Sequence, residues 1–131
     1  MGRGGRAFSF RTVRGSLAEV LTDHDLASLG DAYVNFTFSL ALSDKRRKPL
    51  GVRVKGTVLA EALRKAGLRY NLGSRMSRHA LADAAEALIV YAWLNGCITL
   101  DESVTIISKS KDAVEGASEL LATAKRRVTF P

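Results

Sequence analysis

The sequence predicts an all-α domain of about six or seven helices, and three observations lead to this prediction. Apolar side chains in residues 54–66 recur at steps of three and four residues, the spacing of one buried helix face. Thr99 and Glu102 have the spacing of a capping box, in which a helix starts at the threonine. Residues 104–107 come closest to the alternation of a strand, but they directly follow this capping box and are therefore expected to be helical.

Turn and capping residues divide the chain into its predicted elements. Gly67 and Gly96 are each expected to end a helix, because glycine readily adopts the left-handed conformation found there. Asp112 and Glu115 mark a further helix start. The predicted order is a short helix at 16–21, a long helix at 26–43, a charged loop at 43–51, a helix at 54–66, a loop at 67–74, a second long helix at 80–98, a helix from Thr99, and a last helix from 112 to about 125.

Length and composition indicate one globular domain spanning residues 1–131, with residues 1–6 expected to be flexible. The 131 residues are 47% hydrophobic, which is enough to build a core and excludes a disordered chain. Cys97 is the only cysteine, so an internal disulfide and a structural zinc site are both excluded. With no apolar signal segment near Met1, these features lead us to expect a cytoplasmic protein.

Both long helices are apolar enough to be considered as membrane spans. Each nevertheless contains at least one carboxylate, and a carboxylate is costly in a bilayer. We therefore expect two buried helices and no membrane association.

The net charge of +7 is distributed unevenly and suggests a polyanionic partner. Residues 44–80 contain eleven Lys and Arg against two acids, whereas residues 23–43 and 81–102 contain three and four acids and no Lys or Arg. Two acid-only apolar segments are therefore set in a basic chain.

The acids on the two long helices could act together. Asp83 and Glu86 are three residues apart and share one helix face, as do Asp31 and Asn35 at four. Oxygen donors converging from two helices are what a hard cation such as Mg²⁺ prefers. Three alternatives remain open: the Asp83–Glu86 pair is structural, Asp31 caps a helix that starts there, or the acids pair with Arg75 or Arg78.

Two segments resemble the motifs of the ribonuclease III family. Residues 26–35, LASLGDAYVN, resemble its signature run, and residues 81–96, LADAAEALIVYAWLNG, resemble its second acidic motif, in the family's order. The chain is most similar to the short Mini-III form, which has no double-stranded-RNA-binding domain.

The resemblance implies a helical, homodimeric endonuclease that cleaves double-stranded or structured RNA with Mg²⁺ or Mn²⁺. It implies that Asp31, Asp83 and Glu86 are the catalytic, metal-binding residues. Asn35, on the same helix face as Asp31, is either a hydrogen-bond donor to a carboxylate or metal-bound water of this site or a buried contact between two helices. We expect basic side chains to hold the RNA, although the run at 45–48 is equally consistent with a solvated loop. The expected RNA-binding residues are Lys45, Arg46, Arg47, Lys48, Arg53, Lys55, Arg75 and Arg78.

The chain departs from full-length ribonuclease III at two positions. The family's glutamates four and seven residues before the signature aspartate are replaced here by Ala27 and His24. The missing acid at Ala27 favours an alternative function, a non-catalytic RNA-binding or scaffold protein on the same fold. A helical DNA-binding protein is a third possibility.

Overall fold

The computed structural model describes residues 8–73 and 76–131 and confirms the all-α class. In these ranges there are six α-helices, one short 3₁₀ turn and no strand. The elements are α1 (Leu17–Leu21), α2 (His24–Arg46), α3 (Gly56–Lys65), the 3₁₀ turn (Arg69–Asn71), α4 (Arg78–Leu94), α5 (Leu100–Lys109) and α6 (Ala113–Arg127). Residues 1–6, which the sequence predicts to be flexible, and Arg75 lie outside the described ranges.

Side-chain caps determine where most helices begin, as the sequence predicts for two of them. The Thr99 and Glu102 capping box is present in full, and the Asp112 carboxylate accepts a hydrogen bond from the backbone N–H of Glu115. Gly67 and Gly96 follow helix ends with φ angles of 78° and 72°, a conformation that favours glycine. These predicted caps are confirmed, but two predicted ranges are wrong at an end. The helix predicted at 54–66 begins only at Gly56, and the helix predicted at 80–98 ends at Leu94.

Helix α2 is longer than predicted at both ends. Asp23 starts it, because its carboxylate accepts a hydrogen bond from the N–H of Leu26. The alternative that Asp31 caps the helix is therefore wrong. The predicted loop at 43–51 is also partly wrong, since Lys45 and Arg46 form the last turn of α2 and Arg47 ends it with a φ of 58°.

Helix α4 forms the centre of the core. It contacts α1, α2, α3 and α6, and eleven of its residues are buried, including Leu88, Ile89 and Tyr91. A helix covered on almost every side explains why its sequence is apolar around most of its circumference. None of the helices in residues 8–73 and 76–131 has the length and hydropathy needed to cross a membrane.

Helices α2 and α4 pack closely against each other at Gly30. A Cβ atom placed on Gly30 would lie 2.1 Å from the backbone carbonyl oxygen of Glu86 and 2.5 Å from its carbonyl carbon. Backbone atoms at that distance cannot move aside without shifting the helix. Glycine at position 30 therefore sets the spacing of the two helices that bear the predicted site residues.

Candidate functional site

The contact between α2 and α4 brings Asp31 and Glu86 together. The Asp31 carboxylate lies within hydrogen-bonding reach of the Glu86 side chain. Glu86 is only 7% exposed, whereas the Asp31 side chain is 46% exposed. These two carboxyl groups, the acidic pair, form a site that is buried on one side and open to solvent on the other.

The environment of Glu86 disfavours its charged form. Burial makes the largest contribution, followed by the hydrogen bond to Asp31 and the negative charges of Asp31 and Asp83. Together they raise the pKa of Glu86 to about 8, despite an opposing effect of Arg53. The protein surroundings of Glu86 therefore favour its neutral, protonated form.

Asp83 lies near the acidic pair but is not joined to it. Its charge contributes to the raised pKa of Glu86. Its side chain lines a small cavity of about 180 Å³ together with Asp23, His24 and Met76. Among the residues that the structure describes, no three His, Cys, Asp or Glu side chains form a group that could hold a metal ion. The structure therefore brings together two of the three predicted catalytic acids and leaves Asp83 at the edge.

Arg53 forms an ion pair with Asp31. Its Nη2 atom lies 3.8 Å from Asp31 Oδ2, and its side chain is 81% exposed. Arg78, at the start of α4, forms no ion pair with any acid in the described part of the chain, and Arg75 lies outside it. Arg78 is therefore not the ion-pair partner of these acids. Arg53 pairs with Asp31, although the sequence suggested only RNA binding for Arg53.

Asn35 contacts Asp31 as the helical spacing predicts. Its Nδ2 atom donates to Asp31 Oδ1 at 3.1 Å, and its Oδ1 atom accepts from the backbone N–H of Val54 at 2.7 Å. The amide thus connects the acidic pair to the chain segment that bears Arg53. The sequence offers no signal for the second contact, because it depends on the path of a non-helical segment.

The predicted RNA-binding cations occupy three places. Lys45, Arg53 and Lys55 line one side of an apolar groove of about 520 Å³ between the end of α2 and the start of α6. Arg46, Arg47 and Lys48 are exposed at the end of α2. Arg78 is exposed in the first turn of α4. Exposure leaves these cations available to an external anion.

The structure shows where the two residues that depart from the family motif, Ala27 and His24, lie relative to the acidic pair. Ala27 is buried, 6% exposed, one turn before Asp31 on α2. His24, two turns before Asp31, is exposed beside Asp83 at the small cavity. Neither position supplies a carboxylate to the acidic pair.

The donor set of the acidic pair fits a hard divalent cation. Mg²⁺ in proteins is commonly held by one or two carboxylates together with water and phosphate oxygens. Asp31 and Glu86 supply two carboxyl groups in contact, and the exposed side of Asp31 leaves room for further oxygen ligands. A cation bound there would also favour the ionised form of Glu86, which its protein surroundings disfavour.

A comparison with models of known protein families matches the description Ribonuclease III over residues 24–126. That range includes both long helices and the acidic pair. A search among curated proteins finds no match. Since the family model covers most of the chain, this protein belongs to the ribonuclease III family.

Proposed function

We propose that this protein is a metal-dependent endoribonuclease that cleaves double-stranded or structured RNA as a homodimer. The observation that carries the proposal is the contact between Asp31 and Glu86, two carboxyl groups that α2 and α4 bring together at a solvent-exposed edge. Membership of the ribonuclease III family supports RNA as the substrate.

Asp31 and Glu86 would hold the metal, with Asp83 assisting from the next turn of α4. When bound, Mg²⁺ or Mn²⁺ supplies positive charge that favours attack on a phosphodiester. The side chains have different tasks: Glu86 anchors the site from its buried position, and Asp31 faces the solvent from which RNA arrives. Arg53, beside Asp31, is placed to bind a backbone phosphate.

Exposed cations around the acidic pair would bind the RNA backbone. A-form duplexes are recognised mainly through phosphates and 2′-hydroxyls, so charge and position matter more than base contacts. The chain offers Arg53 and Lys55 beside the site and Lys45 farther along the groove. Arg46, Arg47, Lys48 and Arg78 would extend the contact, as would Arg75.

An exposed apolar stripe on α2 supports a homodimer. It consists of the exposed Leu29, Ala32 and Phe36 and the half-buried Leu40, which recur at steps of three and four residues on one helix face. Phe36 is 54% exposed and Leu29 is 40% exposed, which is unusual for large apolar side chains close together. A second copy of the chain would bury this stripe. We propose that the dimer acts in the cytoplasm.

Cleavage of a synthetic duplex RNA tests the proposal. We expect cleavage in Mg²⁺ or Mn²⁺ and none in EDTA. Asp31→Asn and Glu86→Gln should each reduce the cleavage rate by about two orders of magnitude or more, while RNA binding in EDTA stays near the wild-type level. Asp44→Asn is the control, since Asp44 is an exposed carboxylate at the far end of the same helix.

The same experiment distinguishes the alternative functions. Wild-type protein that binds duplex RNA but cleaves it in neither metal would refute the nuclease and favour an RNA-binding scaffold. The buried alanine at position 27, which removes one acid of the family motif, is the observation that favours the scaffold. Preferential binding of duplex DNA over duplex RNA would contradict both.

A further inference from the structure

Three side chains of α2 hold the segment of residues 50–54 along the helix. The Ser43 and Ser39 hydroxyls each accept a hydrogen bond from a backbone N–H, of Leu50 and Val52 respectively, both at 2.9 Å, and each donates to the carbonyl of the same residue. Asn35 accepts from the N–H of Val54 at 2.7 Å. We call residues 50–54 the tethered segment.

The spacing of these hydrogen bonds explains why the segment lies along α2. Four residues of an α-helix rise about 6 Å, and two residues of an extended chain advance about 6.6 Å. Hydrogen-bonding side chains at every fourth helix position can therefore meet every second residue of an extended segment. Asn35 is the last of the three and the one beside the acidic pair.

The contact with Val54 determines the orientation of the Asn35 amide. A backbone N–H can only donate a hydrogen bond, so the carbonyl oxygen of the amide must face Val54. The NH₂ group then points the other way, where it donates to Asp31 Oδ1 at 3.1 Å. One side chain thus fixes the direction of Asp31 and the position of the tethered segment together.

The position of Arg53 depends on the same Asn35 side-chain amide. It is the residue before Val54, and its guanidinium lies 3.8 Å from the other Asp31 oxygen, Oδ2. Its side chain is 81% exposed, so the backbone at Val54 is what places it beside the acid. Asp31 is therefore oriented by Asn35 on one oxygen and faces Arg53 on the other.

We propose that Asn35 is a positioning residue that holds Asp31 and Arg53 in one arrangement, so that a phosphate bound by Arg53 is presented to the acidic pair. This inference rests on the proposed function and adds to it a link between RNA binding and the acidic pair. Ser39 and Ser43 differ from Asn35 because they hold the tethered segment without contacting Asp31.

Three variants separate the two contacts of Asn35. Asn35→Asp keeps an oxygen that accepts from Val54 but removes the donor to Asp31. Asn35→Ala removes both contacts. Ser39→Ala is the matched control, because it removes a tether one turn away and leaves the contact with Asp31 in place.

Amide hydrogen exchange, RNA affinity in EDTA and cleavage kinetics are measured for each variant. We expect Asn35→Asp to keep the Val54 amide protected and to lower kcat about 10- to 100-fold with less than a threefold change in KM. Asn35→Ala should also expose the Val54 amide and weaken RNA binding in EDTA, and adding Arg53→Ala to it should weaken binding no further. Ser39→Ala should keep wild-type kcat.

Two results would overturn the inference: wild-type kcat in Asn35→Asp, or a loss of kcat in Ser39→Ala as large as in Asn35→Ala, which would indicate a purely structural role. If Asn35→Ala does not fold, Asn35→Asp and Ser39→Ala still decide the question. If the wild-type protein does not cleave RNA, the proposed function fails. In that case the role of Asn35 is judged from hydrogen exchange and binding alone. It is refuted if Asn35→Ala changes neither the hydrogen exchange of the Val54 amide nor the RNA affinity in EDTA.

Discussion

Gly30 packs directly against the backbone of Glu86. A Cβ atom at position 30 would lie 2.1 Å from the Glu86 carbonyl oxygen, a distance that no real side chain tolerates. The next residue after Gly30 is Asp31, so this close contact of the two helices occurs beside the acidic pair. The spacing of α2 and α4 and the geometry of the site are therefore determined by the same contact.

We predict that Gly30→Ala separates the two helices and destabilises the protein by about 1–3 kcal/mol or more, as overpacked core substitutions do. It should also abolish cleavage, because Asp31 moves away from Glu86. Chemical denaturation measures the free energy of unfolding, and a duplex RNA assay at a temperature where the variant remains folded measures the second effect.

Gly116→Ala is the matched control for that prediction. Gly116 also lies inside a helix, but the nearest atoms to an added Cβ are 3.5 Å away, an ordinary van der Waals distance. Alanine is favoured over glycine in a helix by about 1 kcal/mol, so this variant should be at least as stable as the wild type. Equal stability of Gly30→Ala and Gly116→Ala would contradict the role given to Gly30.

The helices and their boundaries could be predicted where local rules decide them. Thr99, Asp112, Gly67 and Gly96 each act on their own helix end, and all four predictions are confirmed. The end of α2 could not be predicted from Pro49 and Gly51, because Arg47 adopts a left-handed conformation before either is reached. An arginine in the sequence does not indicate a left-handed backbone conformation, which glycine or asparagine would.

The site could be predicted only in part, for a similar reason. Helical spacing placed Asn35 beside Asp31, and the structure confirms that contact. The partnership of Asp31 with Arg53 depends on the tethered segment, which the hydrogen bond from the Val54 N–H to Asn35 holds beside Asp31. Serines four residues apart on an apolar helix are the one sequence feature that points to such a tether.

The raised pKa of Glu86 predicts an unusual pH dependence of stability in the metal-free protein. In the unfolded chain Glu86 loses its proton near pH 4.5, and in the folded chain near pH 8. Between these values the folded state binds more protons than the unfolded state, so the free energy of unfolding falls as pH rises, with a slope of up to about 1.4 kcal/mol per pH unit. Glu86→Gln should remove this contribution.

Denaturant unfolding in EDTA across that pH range measures the effect as the difference between wild type and variant. Glu61→Gln is the control, since Glu61 is an exposed carboxylate paired with Arg64 on α3. We expect Glu86→Gln to be more stable than wild type near pH 8 and the difference to shrink toward pH 4.5. A difference that grows on acidification would mean that Glu86 is ionised in the folded protein.

We predict that Arg53→Ala weakens RNA binding and reduces its dependence on salt. Removing one cation that binds a phosphate lowers the slope of log affinity against log salt by about one. Arg64→Ala is the control, because Arg64 is an exposed arginine on α3 with its own partner, Glu61. Fluorescence anisotropy with duplex RNA in EDTA at several salt concentrations measures both slopes, and equal effects in the two variants would contradict a specific position for Arg53.

We predict that Phe36→Asp converts a dimer into a monomer, because it places a charge in the exposed apolar stripe of α2. Phe36 is 54% exposed, so the substitution should leave the fold intact. Tyr70→Asp is the control, since Tyr70 is 93% exposed and lies on the 3₁₀ turn away from α2. Analytical ultracentrifugation gives the masses, and a wild-type monomer or a dimeric Phe36→Asp variant would refute this interface.

Because Glu86 is buried, heat resistance and catalysis favour different side chains at position 86 of this protein. A random screen for thermotolerant variants in EDTA should recover neutral side chains at position 86, since they remove a charge that the core resists. The same replacements would increase the stability of the fold and abolish the proposed chemistry. Engineering this chain for higher stability therefore requires an activity screen in parallel. The substitutions of Glu86 that increase stability also remove a side chain that the proposed reaction requires.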